Sequence, residues 1–220
     1  MKVSRKTREG LTRRRELLTA AEVLFAKNGF FKTTMADIAE EAEFAIGTLY
    51  HMFKSKEEIY LSLVNEKVTA YLSEVEAETS TAFGGGAKIE ALIRTKLNFF
   101  EHNRNFFRIY VAEWSGFEWA PRSAFGDRIW KKLLAHLDLI AEIIEKGIRT
   151  GEFKGIAPKE AAFALNGMMN STIFHWILGN HPPGSLLAKT EVIKELFLTG
   201  IEKPDAAKDR SLIRRSEGGR

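Results

Sequence analysis

"TTMADIAEEAEFAIGTLYHMFKSKEEIY", residues Thr33 to Tyr60, decides how the chain reads. Met35, Ile38, Ala39 and Ala42 fall at i, i+3, i+4 and i+7, an apolar stripe that predicts a short helix over about 35–41. Ile46, Leu49, Tyr50 and Phe53 repeat the spacing and predict a second helix over about 46–53. Only Glu43, Phe44 and Ala45 lie between them, so the two helices must cross sharply, which is helix-turn-helix spacing. With Ile46, Leu49 and Phe53 turned inward, the second helix exposes Gly47, Thr48 and His51 and brings the Tyr50 hydroxyl to its edge.

That outward face suits a nucleic-acid groove. A small residue near the N-terminal end of a helix lets the backbone approach base edges, and hydroxyls and rings around it can bond phosphates. Thr34 is placed to cap the first helix, with Asp37 three residues on. Ser55-Lys56-Glu57-Glu58 reads as a capping box with Ser55 as N-cap and Glu58 three residues inside. It starts a long helix beside which Lys54 and Lys56 can meet a phosphate backbone.

Outward from this unit almost everything reads as helix. A helix is predicted over about 12–27, stopped by Asn28-Gly29, and the one begun after Ser55 runs to about 79. Gly84-Gly85-Gly86 is the clearest break and reads as a linker. Further helices are predicted at about 87–103, 106–116, 124–150, 158–179 and 188–202, with Pro158 at a first helical position. The expected organisation is a basic arm and helix-turn-helix domain over 1–55, a connecting helix over 56–83 and a second helical domain over 84–203. Residues 204–220 are charged and aperiodic, and are expected to be a disordered basic tail.

Charge is uneven. Residues 1–15 hold seven Lys or Arg against one acidic residue, and residues 203–220 hold six against three, while residues 61–202 hold 16 against 17. The arm of Lys2, Arg5, Lys6, Arg8, Arg13, Arg14 and Arg15 suits a polyanion, although a frayed tail kept soluble by its charge has the same composition. The chain has no Cys, which excludes disulfides, thiolate chemistry and Cys-ligated metal. A secretory leader and a transmembrane run are both missing from the pattern, so a cytoplasmic location is expected.

Residues 12–65 resemble the DNA-binding domain of tetracycline-repressor-like (TetR family) transcriptional regulators. The resemblance rests on Gly29-Phe30, Thr33-Thr34, Ile38-Ala39, Ala42, Gly47-Thr48-Leu49-Tyr50, Phe53 and Ser55-Lys56-Glu57. It implies an all-α fold with a three-helix head and a C-terminal ligand-binding and dimerising domain. It also implies that Thr34, Gly47, Thr48, Tyr50 and Lys56 lie at DNA, and the residues themselves add His51 and Lys54. Three positions depart from the family pattern. Glu43 stands where a turn glycine is common, Ala45 where a Ser or Thr often caps the recognition helix, and Met52 where His is common. His51 in turn stands in for a second aromatic residue.

The second domain has to be read from its residues. Residues 99–119 hold five Phe, two Trp and one Tyr, and the helix over 158–179 is apolar nearly all round. Such a helix is covered on both sides, one lining a cavity and the other meeting a second subunit. Candidate ligand contacts are Phe99, Phe107, Tyr110, Glu113, Trp114, Met169, Phe174 and His175, with plain core packing as the alternative for each. Glu113, if buried, needs a partner such as Arg108 or a ligand cation. The five His form no metal-ligand pair, and no nucleophile–base constellation or phosphate loop appears, so neither a metal, a cofactor nor an enzyme activity is expected. The reading is a homodimeric regulator, released from palindromic double-stranded DNA by a small, partly apolar effector. Activation in place of repression, or a helical membrane-surface or partner-binding protein, is the alternative.

Overall fold

The computed structural model describes residues 4–114, 126–178 and 184–201. Among these residues every regular element is helical: α1 (Arg5–Asn28), α2 (Met35–Glu41), α3 (Ile46–Met52), α4 (Lys56–Thr81), α5 (Gly85–His102), α6 (Arg104–Trp114), α7 (Gly126–Arg149), α8 (Pro158–Leu178) and α9 (Thr190–Ile201), the last entered through a 3₁₀ turn at Leu186–Lys189. Pro158 opens α8 as its missing N–H predicts. The expected tail over 204–220 lies outside the described residues. No described helix is long and apolar enough to cross a membrane.

The chain departs from expectation first at its N-terminus. Helix α1 starts at Arg5, so much of the basic arm is helical. Ser4 caps it, its Oγ accepting from the Thr7 N–H at 3.2 Å, and Arg5 pairs with Glu9 one turn on at 2.8 Å. Charge repulsion within the arm is therefore outweighed by a cap and an i,i+4 pair that the charge count alone does not show.

The three glycines depart as well. They are the start of α5, with Gly84 as N-cap at φ 85°. The Glu152 carboxylate supplies the cap that glycine lacks, accepting from the Gly85 and Gly86 N–H groups at 2.7 Å each. A Cβ on Gly85 would lie 2.7 Å from the fully buried Phe153 ring, and one on Gly147 would lie 2.2 Å from it. Gly85 and Gly147 thus make room for the aromatic side chain that docks the end of α7 onto the start of α5.

A continuous apolar core runs from Leu17, Phe25 and Leu49 in the head, along Tyr60, Val68 and Val75 of α4, to Phe99, Ile140, Met169 and Ile193 in the second domain. Each such side chain contributes about 1.5–3 kcal/mol when fully buried. Polar ties reinforce the junction. Lys67 on α4 reaches Glu22 of α1 at 3.0 Å and the Asn103 side chain at the end of α5 at 2.7 Å. Lys67 thus ties the corner between α5 and α6 to α1.

Candidate nucleic-acid interface and effector domain

The head is organised by its caps. Thr34 and Asp37 form a complete capping box: the Thr34 N–H donates to Asp37 Oδ2 at 2.8 Å, and the Asp37 N–H donates to Thr34 Oγ1 at 3.1 Å. Those bonds from Thr34, with help from the Lys56 charge, hold the Asp37 carboxyl below its ordinary pKa. At the other end of α2 the chain turns through Glu43 at φ 57°, the one non-glycine with positive φ among the described residues. Phe44 N–H donates to Ala39 O at 2.9 Å and Glu43 N–H to Glu40 O at 3.0 Å, the paired bonds of a Schellman C-cap. The glycine-like turn is made, with a glutamate in the left-handed position.

Helix α3 is then entered through its N-cap Ala45, whose side chain can accept no capping hydrogen bond. Leu49 and Phe53 are buried, as their spacing predicts. Gly47, Tyr50 and His51 are exposed and Thr48 is half-buried. Ile46 is a correction: expected to face inward, it is 47% exposed and stands beside Tyr50 at 53%. The left-handed turn delivers the chain with the first residue of α3 outside the crossing. A Cβ on Gly47 would meet nothing within 4 Å, so internal packing does not call for glycine there.

The two lysines part company. Lys54 is exposed, and its N–H donates to Glu58 Oε2 at 2.7 Å while Ser55 Oγ accepts from the Glu58 N–H at 3.2 Å. The reciprocal half of the expected box thus falls one residue earlier. Lys56, expected at a phosphate, has partners within the chain. Its ammonium donates to the carbonyls of Phe30 and Thr33 at 2.7 Å each and lies 4.5 Å from the Phe30 ring centroid. Partial burial lowers its pKa, opposed by Glu57 and Asp37. Two of the three donors an ammonium has are thus directed at the loop before α2.

In the second domain Phe99, Phe107 and Met169 are buried, while Phe174 and His175 face outward on α8 and so do not line its interior. The side chains of Tyr110, Glu113 and Trp114 lie outside the described residues. Phe174, 44% exposed, belongs instead to an uncovered apolar strip with Phe163 on α8 and Val192 and Leu196 on α9. The opposite, inward side of α8 carries Asn166, whose Oδ1 accepts from the ammonium of the buried Lys96 of α5. Nearby, Tyr71 of α4 and His136 Nε2 of α7 share a 3.0 Å hydrogen bond.

Residues 17–63 match the model of bacterial regulatory proteins of the tetR family, and residues 84–177 match the C-terminal domain of tetracyclin repressor-like proteins. The chain belongs to the tetR family. It is a DNA-binding transcriptional regulator, and the family consists of regulators, not enzymes. Among its relatives, the Fatty acid metabolism regulator protein of Bacillus subtilis is 26% identical over 187 residues, 84% of this chain and 94% of the relative. The HTH-type transcriptional repressor KstR2 of Mycobacterium tuberculosis is 30% identical over 141 residues, 62% of this chain and 68% of the relative. The solved structure of the regulator FadR from Bacillus subtilis in complex with stearoyl-CoA superposes with a TM-score of 0.73 at 24% identity, over 86% of this chain and 99% of that one.

Two features of this tetR-family chain differ from or add to what the spacing predicts. Ile46 looked like a core residue because it lies three before Leu49, yet the first turn of so short a helix is only half covered. Lys96 had a legible signal. It occupies a core position in the run Ile89, Leu92, Ile93, Lys96, Phe99, Phe100, where the spacing asks for an apolar side chain.

Proposed function

We propose that the chain works in the cytoplasm as a homodimer that reads a palindromic operator with α3 and lets go when a partly apolar effector enters the second domain. The observation that carries the DNA reading is Gly47, a glycine inside an exposed helix with open space where its Cβ would be. Its use is close approach to something outside the chain. Around it Thr34, Thr48, Tyr50 and His51 offer hydroxyls and a ring, Lys54 offers a phosphate contact, and the exposed Ile46 suits a thymine methyl. The exposed arginines on the first turns of α1, Arg5, Arg8, Arg13 and Arg15, add sequence-independent attraction. Lys56 acts in this reading by holding the loop before α2.

The strip of Phe163, Phe174, Val192 and Leu196 supports the dimer. Phe163, Gly167 and Phe174 share one outward side of α8, and Gly167 has nothing within 4 Å of its Cβ position. Two copies packed there would set their recognition helices about one DNA turn, roughly 34–36 Å, apart. The effector favours the arrangement whose heads no longer match that spacing, and Glu22–Lys67–Asn103 transmits the change. A relative crystallised with stearoyl-CoA makes acyl-CoA the first effector class to try.

The test is selection from randomised duplexes, with the mass of the free protein measured natively. Enrichment of a two-fold site and a dimer mass are expected. Lys54→Ala should flatten the salt dependence of binding by about one unit, and Thr48→Ala should change which bases are tolerated. A strict monomer at micromolar concentration, or no enriched sequence, would remove the two-headed mechanism.

A further inference from the structure

Lys96 is 1% exposed within α5, one turn from Leu92, Ile93, Phe99 and Phe100. Its ammonium has three N–H donors and one partner, Asn166 Oδ1 at 2.5 Å. Among the described residues it makes no ion pair. Two polar atoms on neighbouring helices are buried without a partner: His136 Nδ1 on α7, and Asn170 Oδ1 one turn beyond Asn166 on α8. A lysine in such a place costs stability, and an apolar side chain of similar length would cost less. Among the described residues nothing uses its remaining donors.

We propose that Lys96 and Asn166 form the buried binding point for the oxygen-bearing end of the effector, a carbonyl or carboxylate oxygen carried on an apolar chain. The inference rests on the effector reading above and names the chemistry of that site. A donor-only ammonium beside an amide selects an acceptor, and a positive charge without an ion pair among the described residues selects one with negative character. The buried Phe99 and Phe100, one turn from Lys96 on α5, and Met169, one turn from Asn166 on α8, suit the apolar remainder. Neutral His136 adds to the donor side: when Tyr71 O–H donates to Nε2, the ring proton sits on Nδ1 and points at no partner. Asn170 can offer its oxygen or, flipped, its N–H groups. Burial also lowers the Lys96 pKa to about 7, so an incoming anionic oxygen would find a group whose proton is loosely held and would fix it.

The experiment titrates palmitoyl-CoA and, separately, palmitate into the full chain, following heat of binding, for wild type, Lys96→Met and Lys96→Gln. Thermal melting of each protein without ligand is run alongside. Wild type should bind, Lys96→Met should bind at least ~10-fold more weakly, and neither variant should melt below wild type. Loss for both probes assigns the shared carbonyl oxygen, and loss for palmitate alone assigns a carboxylate. Equal affinity in wild type and Lys96→Met overturns the anchor and leaves the effector reading standing. Binding of neither probe to wild type overturns the acyl effector reading and this anchor with it. A clear drop in melting temperature in both variants makes Lys96 a structural residue, which also overturns the proposal.

Discussion

Lys56 Nζ donates to the Thr33 carbonyl oxygen at 2.7 Å, joining the first residue of α4 to the residue before the Thr34 cap of α2. With the second bond to Phe30 O, also 2.7 Å, it fixes the loop from which the helix-turn-helix is launched. Lys56→Met keeps the stem and removes the charge. It should lower the stability of the DNA-free protein by about 1–3 kcal/mol, since charged hydrogen bonds to carbonyls are being lost. A lysine that served only as a phosphate contact would leave the melting temperature of the free protein where it was. Denaturant unfolding without DNA separates the two.

Glu43 occupies the left-handed position of a Schellman turn at φ 57°, where a residue with a Cβ costs about 1–2 kcal/mol relative to glycine. Part of that is returned by the greater freedom glycine has in the unfolded chain. Glu43→Gly is therefore expected to stabilise the protein by about 0.5–1 kcal/mol. Glu43→Ala removes the same charge near Glu40 and Glu41 but keeps the Cβ, so it should gain much less. Equal gains from both substitutions would assign the effect to charge and not to backbone. The midpoint of urea unfolding for the two variants decides it.

The head was legible because its signals are local. Caps, the 3.6-residue stripe and the three-residue turn lie within a few residues of one another, so Thr34, Ser55, Leu49 and Phe53 could be placed from spacing alone. What was not legible depends on contacts distant in sequence. Lys56 meets Phe30 and Thr33 across more than twenty positions, Glu152 caps α5 from the far end of α7, and both escape any window read along the chain. Phe174 and His175 failed for a related reason. A helix that is apolar all round gives no phase, and only the packed structure says which side of α8 is Met169 and which is Phe174.

Gly147 and Gly85 are held small by one ring, Phe153. A Cβ on Gly147 would come within 2.2 Å of that ring, which is itself fully buried and has no room to move aside. Gly147→Ala should destabilise the second domain by about 1–3 kcal/mol even though alanine is the better helix former. Gly155→Ala, where nothing lies within 4 Å, is the control and should be near neutral. Pairing Gly147→Ala with Phe153→Leu should recover part of the loss. If the double variant is no better than the sum of the singles, the clash with Phe153 is not what makes Gly147 necessary.

The buried Lys96 gives the protein a pH dependence that can be assigned a sign. Its folded pKa is about 7 against an ordinary 10.5, because burial penalises the charged form. Between those values the unfolded chain holds a proton that the folded chain does not, so stability rises with pH across that window. Below about pH 7 the full cost of the buried charge is present. His136 runs alongside: burial, and then the Lys96 charge, lower it from 6.5 to about 3, so acid removes stability from pH 6.5 downward. Among the described residues the groups facing Lys96 are His136 from α7 and Asn166 from α8, with Tyr71 of α4 behind the histidine, and none of these is acidic. Lys96→Met should therefore melt above wild type at about pH 6.5, and the gap should narrow as pH approaches about 10. Taking the difference between the two proteins cancels the titrating groups that Lys96 does not influence, and His136, which the Lys96 charge does influence, stays neutral in both above about pH 6.5 because burial lowers it. A gap of constant size across that range would mean the lysine is not held near 7, and that its charge is balanced in the folded protein.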